Sequence, residues 1–284
     1  MENIEKWIRS NLIWLIAVPL LIGIALLLIE YEFFVPQNDS SVIQPNSKLP
    51  TSLKSEPNIS SKVDSKSEGC IVFVLFDLPA DTNEANRSRH HINEFKKVVN
   101  TMRNNDLLVG DFISDNSLAT ASYPIYNRFS ESGTGPYGQV VFRQKIIQKV
   151  ERILNNTFSS MTDLMNSFQL AEKAFDNEKN KSQNCKILVV FSTMMEISQR
   201  YNFEKERLTK MRIQEIIQSE KTKGALPNLD GVKIWVVGGY TSIQGRSDPE
   251  RLLLIQDFWL KYFKECGGDL DETRYGNTLL NFSL

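Results

Sequence analysis

The sequence predicts an α/β domain, doubly wound around a mostly parallel central sheet with helices on both faces, preceded by one transmembrane helix. Three observations predict it. Residues 12–29 (LIWLIAVPLLIGIALLLI) form an uncharged and almost wholly apolar run. Beyond residue 69, short β-branched and aromatic runs alternate with longer segments of helical period. Three of those runs, CIVFVLF at 70–76, KILVVF at 186–191 and VKIWVV at 232–237, are nearly continuous, as strands covered on both faces are.

The 18 residues of the first run give ~27 Å of helix at ~1.5 Å per residue, close to the hydrocarbon thickness of a bilayer. A helix satisfies its own backbone hydrogen bonds, so it can stand in lipid. Trp14 and Tyr31 lie near its ends, where amphipathic rings favour the interface. A buried soluble helix of this length would show a polar face. A cleaved leader would carry a shorter apolar core and a small-residue cleavage site, which Ile29-Glu30-Tyr31-Glu32 does not offer. No later run approaches this length, so a single anchor is expected. Lys6 and Arg9 precede it and the next base is Lys48. That asymmetry places residues 1–11 in the cytoplasm and the α/β domain in the periplasmic or extracellular space. Residues 36–69 are rich in Ser, Asn, Pro and Lys without an apolar period, and read as a disordered linker spanning roughly 30–35 Å.

Within residues 70–284, the strand at 70–76 precedes a helix at 84–103, with Ile92, Phe95, Val98, Val99 and Met102 on one face. Strands are expected at 107–114 and 122–130, then a helix at 143–155 through Ile146, Ile147 and Val150. A helix at 162–176, the strand at 186–191 and a charged helix at 203–221 follow, the last with Leu208, Met211, Ile216 and Ile217 inward. The strand at 232–237, a helix at 248–266 with a Leu253, Phe258, Trp259, Phe263 face, and a last strand at 278–282 complete the pattern. Strand–helix alternation of this kind builds a parallel sheet.

Composition removes several functions. The chain has 33 basic and 34 acidic side chains and no long basic tract, which argues against nucleic acid as a partner. Three cysteines without a C-x-x-C pair give neither a disulfide framework nor a zinc site. The two histidines, His90 and His91, fall among Arg and Asn and read as a solvated helix face. Gly133-Thr-Gly-Pro-Tyr-Gly138 lacks the Lys and Ser/Thr of a phosphate loop and reads as a surface turn. No Gly-x-Ser-x-Gly elbow is present.

Ligands of open α/β sheets bind beyond the carboxyl ends of the strands. There the first strand ends in Asp77, with Asp81 and Thr82 at the next turn. The KILVVF strand ends in Ser192 and Thr193, and Ser159, Ser160, Thr162 and Asp163 precede the helix at 162–176. Hard oxygen ligands of this kind suit Mg²⁺ or Mn²⁺. Residue by residue, helix capping is the better account, with Asp81 and Thr162 as good caps.

The order of these pieces resembles the von Willebrand factor A-like domain over residues 70–284. The family's first strand ends Asp-x-Ser-x-Ser, a Thr heads a later helix, and another strand ends in Ser-Asp; together they form a metal-ion-dependent adhesion site. Here the elements are Asp77-Leu-Pro79-Ala-Asp81, SSMTDLMNSFQLAEKAF with Thr162 in the Thr position, and ILVVFSTMMEIS with Thr193 in place of the final Asp. GVKIWVVGG and DFWLKYFKECGG also look like a bacterial, membrane-anchored subgroup of the family. The resemblance implies a degenerate site. Pro79 has no ligating side-chain oxygen and Thr193 carries no charge, so a metal-free version is the leading expectation. Mg²⁺ or Mn²⁺ held through Asp77 and Thr162 is the alternative.

Cys70 and Cys185 each lie seven residues before a strand-end site residue, so both begin what should be adjacent strands. Adjacent strands stand about 4.8 Å apart, near the Cα range of a disulfide. In an oxidising compartment the two could pair, leaving Cys266 free; otherwise they are two small buried hydrophobes. The leading functional expectation is a membrane-tethered protein-interaction module that engages a protein partner through its strand-end loops. A metal-assisted hydrolase using Asp77, Asp81 and Asp163 is a second reading. A purely structural subunit of an envelope, secretion or conjugation assembly is a third.

Overall fold

The continuous apolar runs become the centre of a six-stranded sheet. The computed structural model describes residues 69–80, 84–130, 135–177, 185–239 and 248–284. The expected anchor at 12–29 and the linker up to residue 68 lie outside them. Among the described residues no helix is long and apolar enough to cross a membrane.

The elements in chain order are β1 (Cys70–Asp77), α1 (Ala85–Thr101), β2 (Leu107–Ile113), α2 (Ser117–Thr120), β3 (Ile125–Arg128), α3 (Pro136–Asn156) and α4 (Leu164–Asp176). Then come β4 (Cys185–Phe191), α5 (Lys210–Thr222), β5 (Val232–Val237), α6 (Pro249–Glu265) and, after a single 3₁₀ turn, β6 (Tyr275–Gly276). The strand order is β3-β2-β1-β4-β5-β6. Only the β2–β3 pairing is antiparallel. The mostly parallel, doubly wound sheet expected from the sequence is therefore present.

Alternation along β1 sends its side chains to two cores. Ile71, Phe73 and Leu75 join Phe168 of α4, Ile216 of α5 and Trp259 of α6 on one face. Val72, Val74 and Phe76 join Phe95 of α1, Val150 of α3 and Leu279 near the C-terminus on the other. Phe76 stacks on Phe191 of the neighbouring strand at 4.7 Å, with Phe95 edge-on at 5.1 Å. Burying each such ring contributes about 1.5–3 kcal/mol. Close packing also explains Gly110 in β2, where a Cβ would stand 2.4 Å from Val74 Cγ2.

Cys70 and Cys185 are partners in the parallel β1–β4 register, with Cα atoms 4.5 Å apart, and are disulfide-bonded. Cys266 is a free, buried thiol.

Several boundaries differ from the sequence expectation, each for a local reason. The charged helix begins at Lys210, not 203, because Thr209 caps it by accepting from the Arg212 N–H, while Asn202 closes a turn over residues 204–206. Met211 then points outward, 70% exposed, and Ile213 takes the inward position. Leu253, expected on the core face of the last helix, is also exposed. Helix α3 starts at Pro136, inside the glycine-rich segment read as a turn, with proline at the first helical position where its missing N–H is harmless. The expected strand at 278–282 is absent; the short β6 precedes it, and Leu279 and Phe282 instead cover Val72's face of the sheet, with Phe282 edge-on to Trp235.

His91 is the clearest departure. It is 1% exposed rather than solvated, because position 91 lies one turn before Phe95 on the inward face of α1. His90, beside it, is half-buried and meets the Asn277 carbonyl at 2.5 Å.

Candidate functional site

The carboxyl ends of β1 and β4 lie side by side because those strands pair in register, Phe76 opposite Phe191. The next residue on each strand is therefore forced together: Asp77 and Ser192. The Ser192 hydroxyl donates to Asp77 Oδ2 at 3.0 Å. From a third segment, the Thr162 hydroxyl donates to Asp77 Oδ1 at 3.1 Å. Both carboxylate oxygens of Asp77 thus receive a hydroxyl, and three chain segments meet on one buried group. Asp77 is 3% exposed. Burial raises its carboxyl above the usual range, opposed by the Arg87 guanidinium and by the two hydroxyls.

Backbone contacts fix each arm. Thr162 and Ile197 exchange N–H···O bonds of 2.8 and 3.0 Å, tying the segment before α4 to the loop after β4. Ser192 Oγ accepts the Met194 N–H at 2.9 Å, and Trp259 Nε1 donates to the Met194 carbonyl at 2.7 Å. Met194 is held at φ 61°, a strained conformation for a side-chain-bearing residue, which the tryptophan bond and the serine bond together enforce. The loop after β1 is held by the Ser159 N–H on the Pro79 carbonyl and by Arg87 on the Leu78 carbonyl, both at 3.0 Å. Gly238 closes β5 at φ +98°; a Cβ there would sit 3.0 Å from the Ser192 carbonyl and from His91 Nε2.

Thr162 was expected to cap α4. Its hydroxyl is instead spent on Asp77, and the helix begins two residues later at Leu164. The capping acceptor is Glu196, whose Oε2 receives the N–H groups of Leu164 at 2.9 Å and Met165 at 3.3 Å. Glu196 is fully buried, and burial pushes its carboxyl up to about 8. Sequence reading missed it; the only signal was one acid in the apolar stretch MMEI.

Asp163 stands beside Thr162 in the chain but belongs to a separate group. Its Oδ2 accepts from Asn166 at 2.7 Å, and its backbone N–H donates to the Ser114 carbonyl at 3.2 Å. The structure thus brings Asp77, Thr162 and Ser192 together, sets Asp163 to one side, and buries Thr193 at 4% exposure. Asp81 lies outside the described residues. Among the described residues, those that face solvent on these loops include Ala80, Asp115, Asn116, Phe158, Ser160, Gln199 and Arg200. Phe158, a large apolar side chain, is 45% exposed.

A divalent cation at Asp77 would need open oxygen donors. Both Asp77 oxygens are occupied by hydroxyl donors, Pro79 offers no side-chain oxygen, and burial favours the neutral carboxyl. Among the described residues no group of three or more His, Cys, Asp or Glu side chains is placed to hold a metal. The described part of the cluster, Asp77, Thr162 and Ser192, is closed on itself by these hydrogen bonds.

No family model matches the chain, and no curated protein matches it. Among solved structures it is similar to a von Willebrand factor type A protein from Catenulispora acidiphila, at 11% identity and a TM-score of 0.35. The match covers 70% of this chain and 43% of that one, so the chain spans less than half of that protein's length. The sheet of the described residues is mostly parallel, six-stranded and covered by helices on both faces.

Proposed function

We propose that the chain is a membrane-tethered protein-interaction module whose contact surface is the loop set at the carboxyl ends of its strands, organised without a metal. The observation that supports this reading is the Asp77 clamp. One buried carboxylate receives hydroxyls from Thr162 and Ser192, so three loops are braced by internal hydrogen bonds where the family it resembles uses a cation. Both hydroxyls of the clamp are turned onto Asp77, an arrangement that braces the loops and favours binding over hydrolysis at this cluster. The exposed Phe158, with Asp115, Gln199 and Arg200 around the same edge, offers the aromatic and charged groups that interfaces use.

The anchor at 12–29 and the linker supply the tether in this reading, with the domain in the periplasmic or extracellular space. The Cys70–Cys185 disulfide supports that placement, because such bonds persist in oxidising compartments.

The test is site-specific photocrosslinking in the native host, with a benzophenone side chain replacing Phe158 or Gln199 in the full chain. The expected result is one discrete crosslinked protein from both positions and none from Lys233, which is exposed at the amino end of β5. Equal crosslinking from all three positions, or none, would count against the interaction surface. Thermal melts in Mg²⁺ and Mn²⁺ should show no rise in midpoint; a rise of several degrees would restore the metal.

A further inference from the structure

The chain enters the α/β domain at a corner that is both apolar and basic. Gly69 lies against Asn105, so closely that a Cβ would stand 2.3 Å from the Asn105 carbonyl oxygen. The Asn105 N–H donates to the Phe129 carbonyl at 2.9 Å, and Arg128 donates to the Asn105 carbonyl at 3.1 Å. The first turns of α3 are fixed at the same place. Arg143 donates to the Met102 carbonyl at 2.6 Å and lies over the Phe129 ring, and Gln139 donates to the Ser130 carbonyl at 2.5 Å. Residue 69 and the start of α3 therefore share the amino ends of the strands, the opposite end of β1 from Asp77.

Tyr137, Val140 and Val141 follow one another there at i, i+3 and i+4, on one face of the helix. Tyr137 is 82% and Val140 63% exposed, and Val141 is exposed as well. One and two turns beyond Val141 stand Lys145 and Lys149. The exposed charges of α3 are these two with Arg152 and Glu151, so bases prevail. Residues 128–150 repeat the bias: Arg128, Arg143, Lys145 and Lys149 face a single acid, Glu131. Exposed aliphatic side chains and a tyrosine backed by lysines are the combination that lipid-surface helices use. A stable protein interface buries about 800 Å² on each partner, more than three side chains on a helix tip supply.

We propose that this corner docks on anionic phospholipid, with Tyr137, Val140 and Val141 entering the headgroup layer and Arg128 and Lys145 facing the lipid phosphates. The assignment rests on the membrane-tethered reading above and adds to it the face that the domain turns to the bilayer. Two features favour lipid over a second copy of the chain. The segment that leads back to residues 12–29 leaves from this corner, so the tether keeps the corner at high effective concentration near lipid and a weak contact suffices. The excess of bases complements anionic headgroups, whereas two copies would bring like charges together. Docked this way, the 8 residues of β1 carry the Asp77 loops about 26 Å outward, at ~3.3 Å per residue, towards a partner.

The experiment uses the full chain reconstituted into vesicles of phosphatidylcholine, with and without phosphatidylglycerol. Val140→Cys carries an environment-sensitive fluorophore, and nitroxide lipids serve as quencher. Quenching is expected in the mixed vesicles and should be severalfold weaker in phosphatidylcholine alone. The same label at Met211→Cys should be quenched in neither, because the first turn of α5 follows β4 at the carboxyl ends of the strands. Lys145→Glu with Lys149→Glu, both surface changes, should cut the quenching severalfold without altering the melting midpoint, as should concentrated salt. An unquenched Val140 label, equal quenching at Met211, or indifference to charge reversal would overturn the assignment. Disulfide crosslinking between two Val140→Cys copies without quenching would give the face to a second copy instead. Vesicle flotation in concentrated salt tests the tether separately. A chain that floats there with its label unquenched at low salt keeps the anchor and loses the docking face. A chain quenched at low salt and stripped by concentrated salt keeps the docking face and loses the anchor.

Discussion

Thr162 and Asp77, 85 residues apart in the chain, are joined by a hydroxyl–carboxylate hydrogen bond of 3.1 Å that is buried from water. With Ser192 on the other oxygen, the carboxylate acts as a keystone between the loop after β1, the segment before α4 and the loop after β4. Removing either hydroxyl leaves a buried acceptor unpaired, which costs about 1–3 kcal/mol. For a domain of this size that is a fall in Tm of roughly 2–10 °C. Thr162→Val and Ser192→Ala should each show it. Because both act on one carboxylate, their combined effect should depart from the sum by about 0.5 kcal/mol or more. Strict additivity in a double-mutant cycle would mean that the two hydroxyls do not share Asp77.

Glu196 makes the domain's stability fall as pH rises. Its carboxyl is pushed from 4.5 up to about 8 by burial, so the folded chain holds a proton that the unfolded chain releases near 4.5. Stability linked to that proton is complete below pH 4.5 and is lost progressively up to about pH 8. Glu196→Gln keeps an oxygen for the Leu164 and Met165 N–H groups but does not titrate. Asp77 and Asp163, whose carboxyls are also raised, remain in both proteins, so the difference isolates Glu196. Denaturant titrations at pH 5 and pH 8 should show the wild type losing a few kcal/mol more than the variant. Parallel losses would show that Glu196 stays ionised throughout.

His91 acts in the opposite direction. Burial, with smaller contributions from Arg87 and His90, holds its imidazole near 3, well below the ordinary 6.5. The folded chain therefore resists a proton that the unfolded chain accepts, and stability is lost as pH falls from 6.5 towards 3. Neither ring nitrogen has a hydrogen-bond partner, so no polar contact is lost when the ring is replaced. His91→Leu should hold its Tm between pH 6.5 and 4 better than the wild type. An identical acid profile in the two proteins would place a proton donor or acceptor on that ring.

The sheet was legible because its central strands, CIVFVLF and KILVVF, are apolar on both faces and alternate with segments of helical period. Asp77, Thr162 and Ser192 were legible as residue types at strand ends, but not their mutual contacts, since a hydroxyl before a helix reads first as a cap. Thr162 was freed from capping only because Glu196, 32 residues beyond Leu164, supplies the acceptor. No local pattern encodes that exchange. His91 was misread for a related reason. Its neighbours Arg89 and His90 are polar, whereas its burial follows from the register of Phe95 and Val99 on α1.

The Cys70–Cys185 disulfide closes a loop with a sequence separation of 115 between two paired strands. Constraining so long a segment of the unfolded chain stabilises the fold by typically 2–4 kcal/mol. Reduction under native conditions should therefore lower Tm by about 5–15 °C. Cys70→Ser with Cys185→Ser should reproduce the fall and abolish any further response to reductant. Cys266 is the control: it is buried, and burial pushes its thiol up to about 12, so it stays protonated and inert at neutral pH. Cys266→Ala should leave the redox response unchanged. In a chain purified from its host under thiol-blocking conditions, peptides carrying Cys70 and Cys185 should be recovered linked. Recovery of both as alkylated thiols would put the domain in a reducing compartment and reverse the membrane orientation drawn from Lys6 and Arg9.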